Sequence, residues 1–548
     1  MTPNIDSFHN HINQQREGGA EHMTTSAMAI PSALFRTAQQ HGDRLALVFK
    51  SRRDTYAQLT DRVLRAASAL ARTGLVKGDR LAIWMPNSPA WIEASLGAMC
   101  LGVIVVPINT RLKPAEAAYI LRKSGARVAI AATDFLGTDF VASLQSLDLP
   151  ALETVIGVRL EDQACAWEQA LAATSPEQIS KAREIAENIS PDDLAEVIFT
   201  SGTTGFPKGA MITQGQIVRA YQFYADRADI KPGDRYLIIA PMFHSFGFKA
   251  GVIVSILNGA VLYPVPTFDV DATLKTVEEE KITVMGGPPT IFTSLLEANK
   301  KAGRDIRSLN SIVLGGSMIP PELIRALRDT VGVETVLSAY GMTETTALVT
   351  MSRKEDGVEK ISTSAGQLVD NMDMRCVDAD GREVARGTAG EIEARGLNIM
   401  KGYFDDPERT AESFTEDGWF KTGDIGIIDD EGYLTITDRK KDMFIVGGFN
   451  CYPAEIEAII GTHPAVDSVA VIGVPDERMG EVAKAFVVLR EGAALNEAEF
   501  IAWCRENMAN FKVPRFVAFL PALPRNAMGK VQKFLLRENE AQSSPPPK

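Results

Sequence analysis

Ten consecutive residues, Thr200-Ser201-Gly202-Thr203-Thr204-Gly205-Phe206-Pro207-Lys208-Gly209, gather four hydroxyls, three glycines and one lysine. Glycines let a backbone turn its N–H groups to one side, hydroxyls add donors, and a lysine brings a full positive charge. Such a set suits a group rich in anionic oxygens, a polyphosphate above all. The apolar residues 197–199 before it read as a strand. Residues 211–225 after it read as a helix, with Thr213 and Gln216 at capping-box spacing. The run is not a Walker loop, because Pro207 stands five residues on from Gly202 and Lys208 is followed by Gly209 rather than Ser or Thr. A P-loop kinase or ATPase is therefore disfavoured, and a plain surface loop needs no such density of donors.

Further along stand Ala339-Tyr340-Gly341-Met342-Thr343-Glu344, Thr422-Gly423-Asp424, Asp438-Arg439-Lys440-Lys441-Asp442, the stretch from Gly447-Gly448 to Glu457, and Pro524-Arg525-Asn526-Ala527-Met528-Gly529-Lys530. Taken singly these are weak signals. Glu344 reads equally as a solvated acid at a helix start, Asp424 as a turn residue, and Lys530 as one more solvated lysine. His244, within Met242-Phe243-His244-Ser245-Phe246-Gly247-Phe248-Lys249, reads equally as a satisfied core histidine.

Taken together and in this order, the motifs resemble those of the adenylate-forming superfamily: acyl-CoA synthetases, firefly-type luciferases and the adenylation domains of peptide synthetases. The likeness extends over about residues 30–540. It implies that ATP and a small-molecule carboxylic acid form an acyl-adenylate and that coenzyme A then takes the acyl group. Joining two anions makes charge neutralisation the main catalytic task. The resemblance assigns Thr200, Ser201, Gly202, Thr203, Thr204, Gly205 and Lys208 to the phosphates, Glu344 to Mg²⁺ with Thr343 beside it, and Tyr340 to the adenine. Gly316 and Ser317 line the other side of the base, and Asp424, with Arg439 nearby, takes the ribose hydroxyls. Lys530 bridges carboxylate and α-phosphate during adenylation. Lys441 matches the hinge about which a small C-terminal domain turns between the two half-reactions, and Gly447 and Gly448 then border the pantetheine channel. His244 flanks the acyl site.

Peptide adenylation domains usually carry an aspartate near that histidine, and its absence here argues against an amino-acid substrate. An acyl-AMP ligase feeding a carrier protein and a luciferase-like adenylating oxygenase are the alternatives. Around Met242, Met285-Gly286-Gly287-Pro288-Pro289-Thr290 and Gly448 the chain is similar to bacterial ligases of steroid catabolism, which activate a propanoate on a bicyclic hydrindane-dione. Ser245 and Lys249 are candidates for ring keto groups. A medium- or long-chain fatty acid is the competing substrate. One departure is Thr213-Gln214, where the family often has Thr-His.

The elements that carry these residues follow from hydrophobic patterning. Compact apolar runs at 81–85, 103–106, 128–131, 197–200, 236–240, 261–265 and 311–314 alternate with amphipathic stretches such as 114–123. That rhythm indicates parallel sheets with crossover helices. After about residue 365, short strands joined by Asp380-Gly381 and Glu431-Gly432 indicate a small antiparallel sheet or barrel, and the last hundred residues a small α+β unit. The expected class is α/β: a large N-terminal domain of stacked αβα sheets with a barrel-like subdomain over 28–438, and a small mobile domain over 439–540. Residues 1–27 and 541–548 read as disordered ends.

The chain has 548 residues, enough for large cores, and a net charge of −13, which disfavours nucleic acid as a partner. Its five cysteines include no C-x-x-C pair, so neither a structural zinc nor a disulfide framework is expected. With no signal-peptide pattern and no apolar run long enough to span a bilayer, a cytoplasmic protein is expected, with a homodimer left open.

Overall fold

The computed structural model describes residues 28–543 apart from 113, 161–163, 201–206, 317–318, 440–443, 447–448, 452, 477–478, 509, 526–528 and 530. Contacts divide the chain into two compact units. The first runs to Asp373 and takes in Ala394–Phe420, and the second is made of Met374–Glu393 and Lys421 onward.

Strands of the first unit are β1 (Leu45–Phe49), β2 (Arg52–Thr55), β3 (Arg80–Trp84), β4 (Ile104–Pro107), β5 (Val128–Ala132), β6 (Thr154–Val158), β7 (Leu194–Thr200), β8 (Lys208–Thr213), β9 (Arg235–Ile238), β10 (Val261–Pro264), β11 (Val284–Gly287), β12 (Ser311–Gly315), β13 (Thr335–Tyr340), β14 (Thr350–Met351) and β15 (Gln367–Leu368). They form two sheets, in the orders β6-β5-β3-β4-β7-β8 and β15-β14-β13-β12-β11-β9-β10-β1-β2. Pairing is parallel in the interior of each sheet, and antiparallel at β7–β8, β1–β2, β13–β14 and β14–β15. Interior strands such as β5 are buried along their whole length, which is why they read as unbroken apolar runs rather than as alternating ones. This is the α/β architecture expected from the sequence. Among the described residues no helix is long and apolar enough to cross a membrane.

The helix Pro89–Cys100 is buried at every position. Gly97 lets it lie against the helix Tyr56–Arg72, since a Cβ there would fall 2.8 Å from Ala66 Cβ and from the Ala67 nitrogen. Its one charge, Glu93, is fully buried, yet accepts from Arg52 at 2.6 Å, Arg62 at 2.5 Å and the Trp167 indole at 3.0 Å. Burial alone would raise the Glu93 carboxyl. The two guanidinium groups and the indole outweigh it and hold the group below the usual carboxylate range.

One local expectation is corrected. The glycine- and hydroxyl-rich run does not lead straight into a helix, because 208–213 form strand β8, the return arm of a hairpin with β7. Gly209 makes the hairpin possible: a side chain there would fall 2.6 Å from Val197 Cγ1 on β7. The helix begins only at Gln214. Its capping box is the expected one, with Thr213 Oγ1 accepting from the Gln216 N–H at 3.3 Å and Gln216 Oε1 from the Thr213 N–H at 2.9 Å.

The second unit contains most of a four-stranded sheet, β16 (Met372–Val377), β17 (Gly390–Gly396), β18 (Phe420–Ile428) and β19 (Leu434–Arg439). It also contains a five-stranded sheet of β20 (Phe444–Val446), β21 (Phe449–Cys451), β22 (Val466–Asp476), β23 (Gly480–Leu489) and β24 (Phe516–Phe519). The helices Pro453–Ile460 and Glu497–Asn507 bring Ile456, Ile460, Phe500 and Cys504 to the core of this unit.

Candidate active site

In open parallel sheets, ligands bind outside the carboxyl ends of the strands. In the first unit the carboxyl end of β7 carries Thr200, that of β12 leads into Gly316, and that of β13 ends at Tyr340 and leads into Thr343 and Glu344. The hairpin register sets Thr200 opposite Lys208. Residues 201–206 between them lie outside the described residues, so Ser201, Gly202, Thr203, Thr204 and Gly205 are known here only through these two anchors.

Four polar side chains converge at the anchors. Glu344 Oε1 accepts from Thr200 Oγ1 at 3.2 Å and from the Tyr403 hydroxyl at 3.0 Å. Lys208 Nζ sits 4.4 Å from the centre of the Tyr403 ring, a cation–π contact. The segment that carries Tyr403 is tied to β8 by Lys401 N–H to Met211 O at 2.9 Å, Met211 N–H to Gly402 O at 3.0 Å and Phe404 N–H to Gly209 O at 2.7 Å. Burial first, and the neighbouring carboxylate second, push the Tyr403 phenol well above its ordinary range, so it stays a donor. Nothing in the sequence pointed to Tyr403, an aromatic in a stretch that reads as ordinary packing.

Glu344 and Thr343, both buried, lie on a single 3-10 turn, Thr343–Thr345. The backbone around them is tightly wound. Thr346 and Ala347 hold φ of 54° and 61°, and a Cβ on Gly341 would fall 2.3 Å from the Ala347 carbonyl carbon. Strain of this kind persists only where its surroundings enforce it. Here Thr346 Oγ1 donates to Asn398 O at 2.6 Å, and Tyr221 donates to Thr346 O at 3.1 Å. Gly316, at φ 84°, turns the chain away from β12; Ser317 after it lies outside the described residues.

His244 precedes a π-helix, Phe246–Ile253, an uncommon form that often marks functional sites. Its Nδ1 accepts from the Phe246 N–H at 3.3 Å, which assigns the ring proton to Nε2 in the neutral form. Although part of the residue's surface is open, the surrounding protein desolvates the imidazole. That, with the Lys249 ammonium nearby, pushes it down to about 4. The Phe246 ring fits because Gly286 and Gly315 are bare: Cβ atoms there would fall 3.0 and 3.9 Å from it.

The expected ribose residue, Asp424, belongs to the second unit. It is buried, and stands not in a plain turn but within β18, directly after Gly423 at φ 71°. The Asp424 N–H donates to Thr422 Oγ1 at 3.1 Å, Thr422 donates to Ile392 O at 2.7 Å, and the Asp424 backbone pairs with that of Arg439. The Arg439 side chain, Lys441, Gly447, Gly448 and Lys530 lie outside what the structure describes.

The donor set suits Mg²⁺. Among the described residues no cluster of three or more histidine, cysteine or acidic ligands exists. A buried single carboxylate, as Glu344 is, is the kind of oxygen ligand at which Mg²⁺ is shared with substrate phosphates and water.

The family model for AMP-binding enzymes matches residues 34–404, and that for the AMP-binding enzyme C-terminal domain matches 455–530. A "3-[(3aS,4S,7aS)-7a-methyl-1,5-dioxo-octahydro-1H-inden-4-yl]propanoyl:CoA ligase" from Rhodococcus jostii is 42% identical, over 94% of this chain and 100% of its own length. The protein of the same name from Mycobacterium tuberculosis is 43% identical, again over 94% and 100%. Among solved structures, ATP-bound MatB from Rhodopseudomonas palustris superposes with a TM-score of 0.83 at 31% identity, over 93% of this chain and 99% of that one.

Proposed function

Since the chain belongs to the AMP-binding enzyme family and is an AMP-forming acyl-CoA synthetase, we propose that the acid it activates is a propanoate borne on a bicyclic, dione-bearing ring system. The observation that carries this reading is the end-to-end match, at 42% and 43% identity, to two ligases named for that one acyl group.

The enzyme joins a carboxylic acid to ATP as acyl-adenylate with loss of pyrophosphate, and then exchanges AMP for the thiol of coenzyme A. In our reading Lys208 and Thr200 hold the outer phosphates, and Glu344, aimed by Thr200 and Tyr403, holds Mg²⁺. When bound, the ion offsets the charge of the phosphates. Thr343 supports the phosphate, Tyr340 and Gly316 bound the adenine, and Asp424 takes the ribose. His244, neutral at physiological pH, brings no second charge to the acyl side, where a cation would hold the carboxylate back from the phosphorus. Lys530 supplies the positive charge for adenylation, and residues 439–540 turn about Lys441 for the thiol step.

The test is a substrate panel with ATP, Mg²⁺ and coenzyme A, read by mass spectrometry of the thioester. The bicyclic dione propanoate should exceed palmitate and octanoate in kcat/KM. Preference for either straight-chain acid overturns the ring reading.

A further inference from the structure

A pair of opposite charges is buried between the two sheets of the first unit. Lys249, on the π-helix, and Glu196, on β7, have side chains 0% and 2% exposed, and Nζ lies 2.5 Å from Oε1. Burying two charges usually costs more than their attraction returns, and apolar replacements are often as stable. Such a pair therefore calls for a reason beyond packing.

Its hydrogen bonding is incomplete. The ammonium donates to Ser245 Oγ at 3.3 Å, and Ser245 is itself fully buried. Glu196 Oε1, close as it is, lies off the line of a well-formed hydrogen bond. Among the described residues the ammonium has no other acceptor, and the Ser245 O–H has none. The ammonium and the hydroxyl thus keep protons beyond their contacts with each other and with Glu196, and spare buried donors of this kind can take an oxygen atom that the chain does not supply.

Their position bears on what that oxygen would belong to. Ser245 directly follows His244, and Lys249 is close enough to lower the His244 imidazole. Phe246, between them in sequence, lies against Gly286 at the carboxyl end of β11 and near Gly315 at that of β12. We propose that Lys249 and Ser245 are specificity-determining donors that take a carbonyl oxygen on the tail of the acid, with Glu196 holding the lysine in place. The choice of a ring ketone as that carbonyl rests on the preceding reading; the donor site itself does not.

The experiment uses the full chain and four acids, with adenylation followed by pyrophosphate release. These are the bicyclic dione propanoate, the same carbon skeleton without carbonyls, a straight-chain oxo acid and the matching alkanoic acid. The variants are Lys249→Met with Glu196→Gln, which removes both charges together so that neither is stranded, and Ser245→Ala, which leaves the ion pair intact should the double variant fail to fold. Within each pair of acids the unaltered enzyme should favour the carbonyl-bearing member by roughly 10- to 10²-fold, the range of a hydrogen bond to a charged donor. That ratio should fall toward one in the double variant and severalfold in Ser245→Ala. A ratio unchanged in the variants, or absent from the unaltered enzyme, overturns the donor site and assigns the open donors to internal water. Preference for straight chains with the oxo discrimination retained would sink the ring reading alone. Ring acids used equally with and without carbonyls would sink the donor site alone.

Discussion

The Tyr403 hydroxyl donates to Glu344 Oε1 at 3.0 Å, the same oxygen that Thr200 reaches at 3.2 Å from the end of β7. Two donors on one oxygen fix the direction of the carboxylate, and both lie far from Glu344 in sequence. Replacing Tyr403 by Phe keeps the ring under Lys208 and removes only the donor. Pyrophosphate release should fall about 10-fold, with a raised Mg²⁺ requirement, while Glu344→Gln should cost on the order of 10²- to 10³-fold. Equal rates for Tyr403→Phe and the unaltered enzyme across a Mg²⁺ titration would remove Tyr403 from the site.

The two half-reactions separate the terminal lysines. Lys530→Ala should slow adenylation by roughly 10²-fold, the scale of losing one charge-stabilising donor. It should leave thioester formation from synthetic acyl-adenylate nearly intact. Lys441→Pro locks φ and removes a backbone donor at the proposed hinge, and should do the reverse. Equal slowing of both steps in both variants would rule out the turning of residues 439–540.

Acid should expose His244. Its imidazole sits at about 4 against an ordinary 6.5, so between those values the unfolded chain binds a proton that the folded chain refuses. Stability therefore rises with pH across that window and is lost as pH falls through it. His244→Asn should melt with a flatter dependence between pH 6.5 and 4.5. Parallel melting curves would show that the ring is already free to charge in the folded protein.

Glu93 works in the opposite sense. Its carboxyl is held low by Arg52, Arg62 and Trp167 against the effect of burial, so its contribution is present above the ordinary carboxylate value and lost as pH falls through the depressed one. Glu93→Ala takes the shared carboxylate from two arginines, leaving Arg52 with Asp54 and Arg62 with Glu168, and should cost about 2 kcal/mol, read by denaturant titration at neutral pH. A loss under about 0.5 kcal/mol, the range of ordinary surface changes, would mean that Asp54 and Glu168 suffice for the two arginines.

Much of this was legible in the chain. The α/β class followed from apolar runs such as 128–131, because strands covered on both faces carry no polar alternation to obscure them. Thr213 and Gln216 signalled their helix start correctly, since a capping box is a local interaction. Strand β8 was missed because Lys208, Gly209 and Ala210 have little intrinsic strand preference; their pairing with β7 decides the matter. Tyr403 and the Glu196–Lys249 pair were hidden for the same reason. Their meaning comes from partners brought together by the sheets, and single-chain spacing carries no trace of that.

Strand β7 has one further consequence. Glu196 and Thr200 are four residues apart on a regular stretch of ladder, opposite Ile212 and Lys208, so both side chains leave the same face. A strand neither stretches nor slips without turning every side chain over. Thr200, beside Glu344, and the buried Glu196 carboxylate are thus graduations about 13 Å apart on a rigid ruler. Under the roles proposed above, an acyl-adenylate served at both marks would be measured as well as recognised, and lengthening the acid's tail by a few methylenes would carry its carbonyl past the second mark without weakening any contact near Thr200.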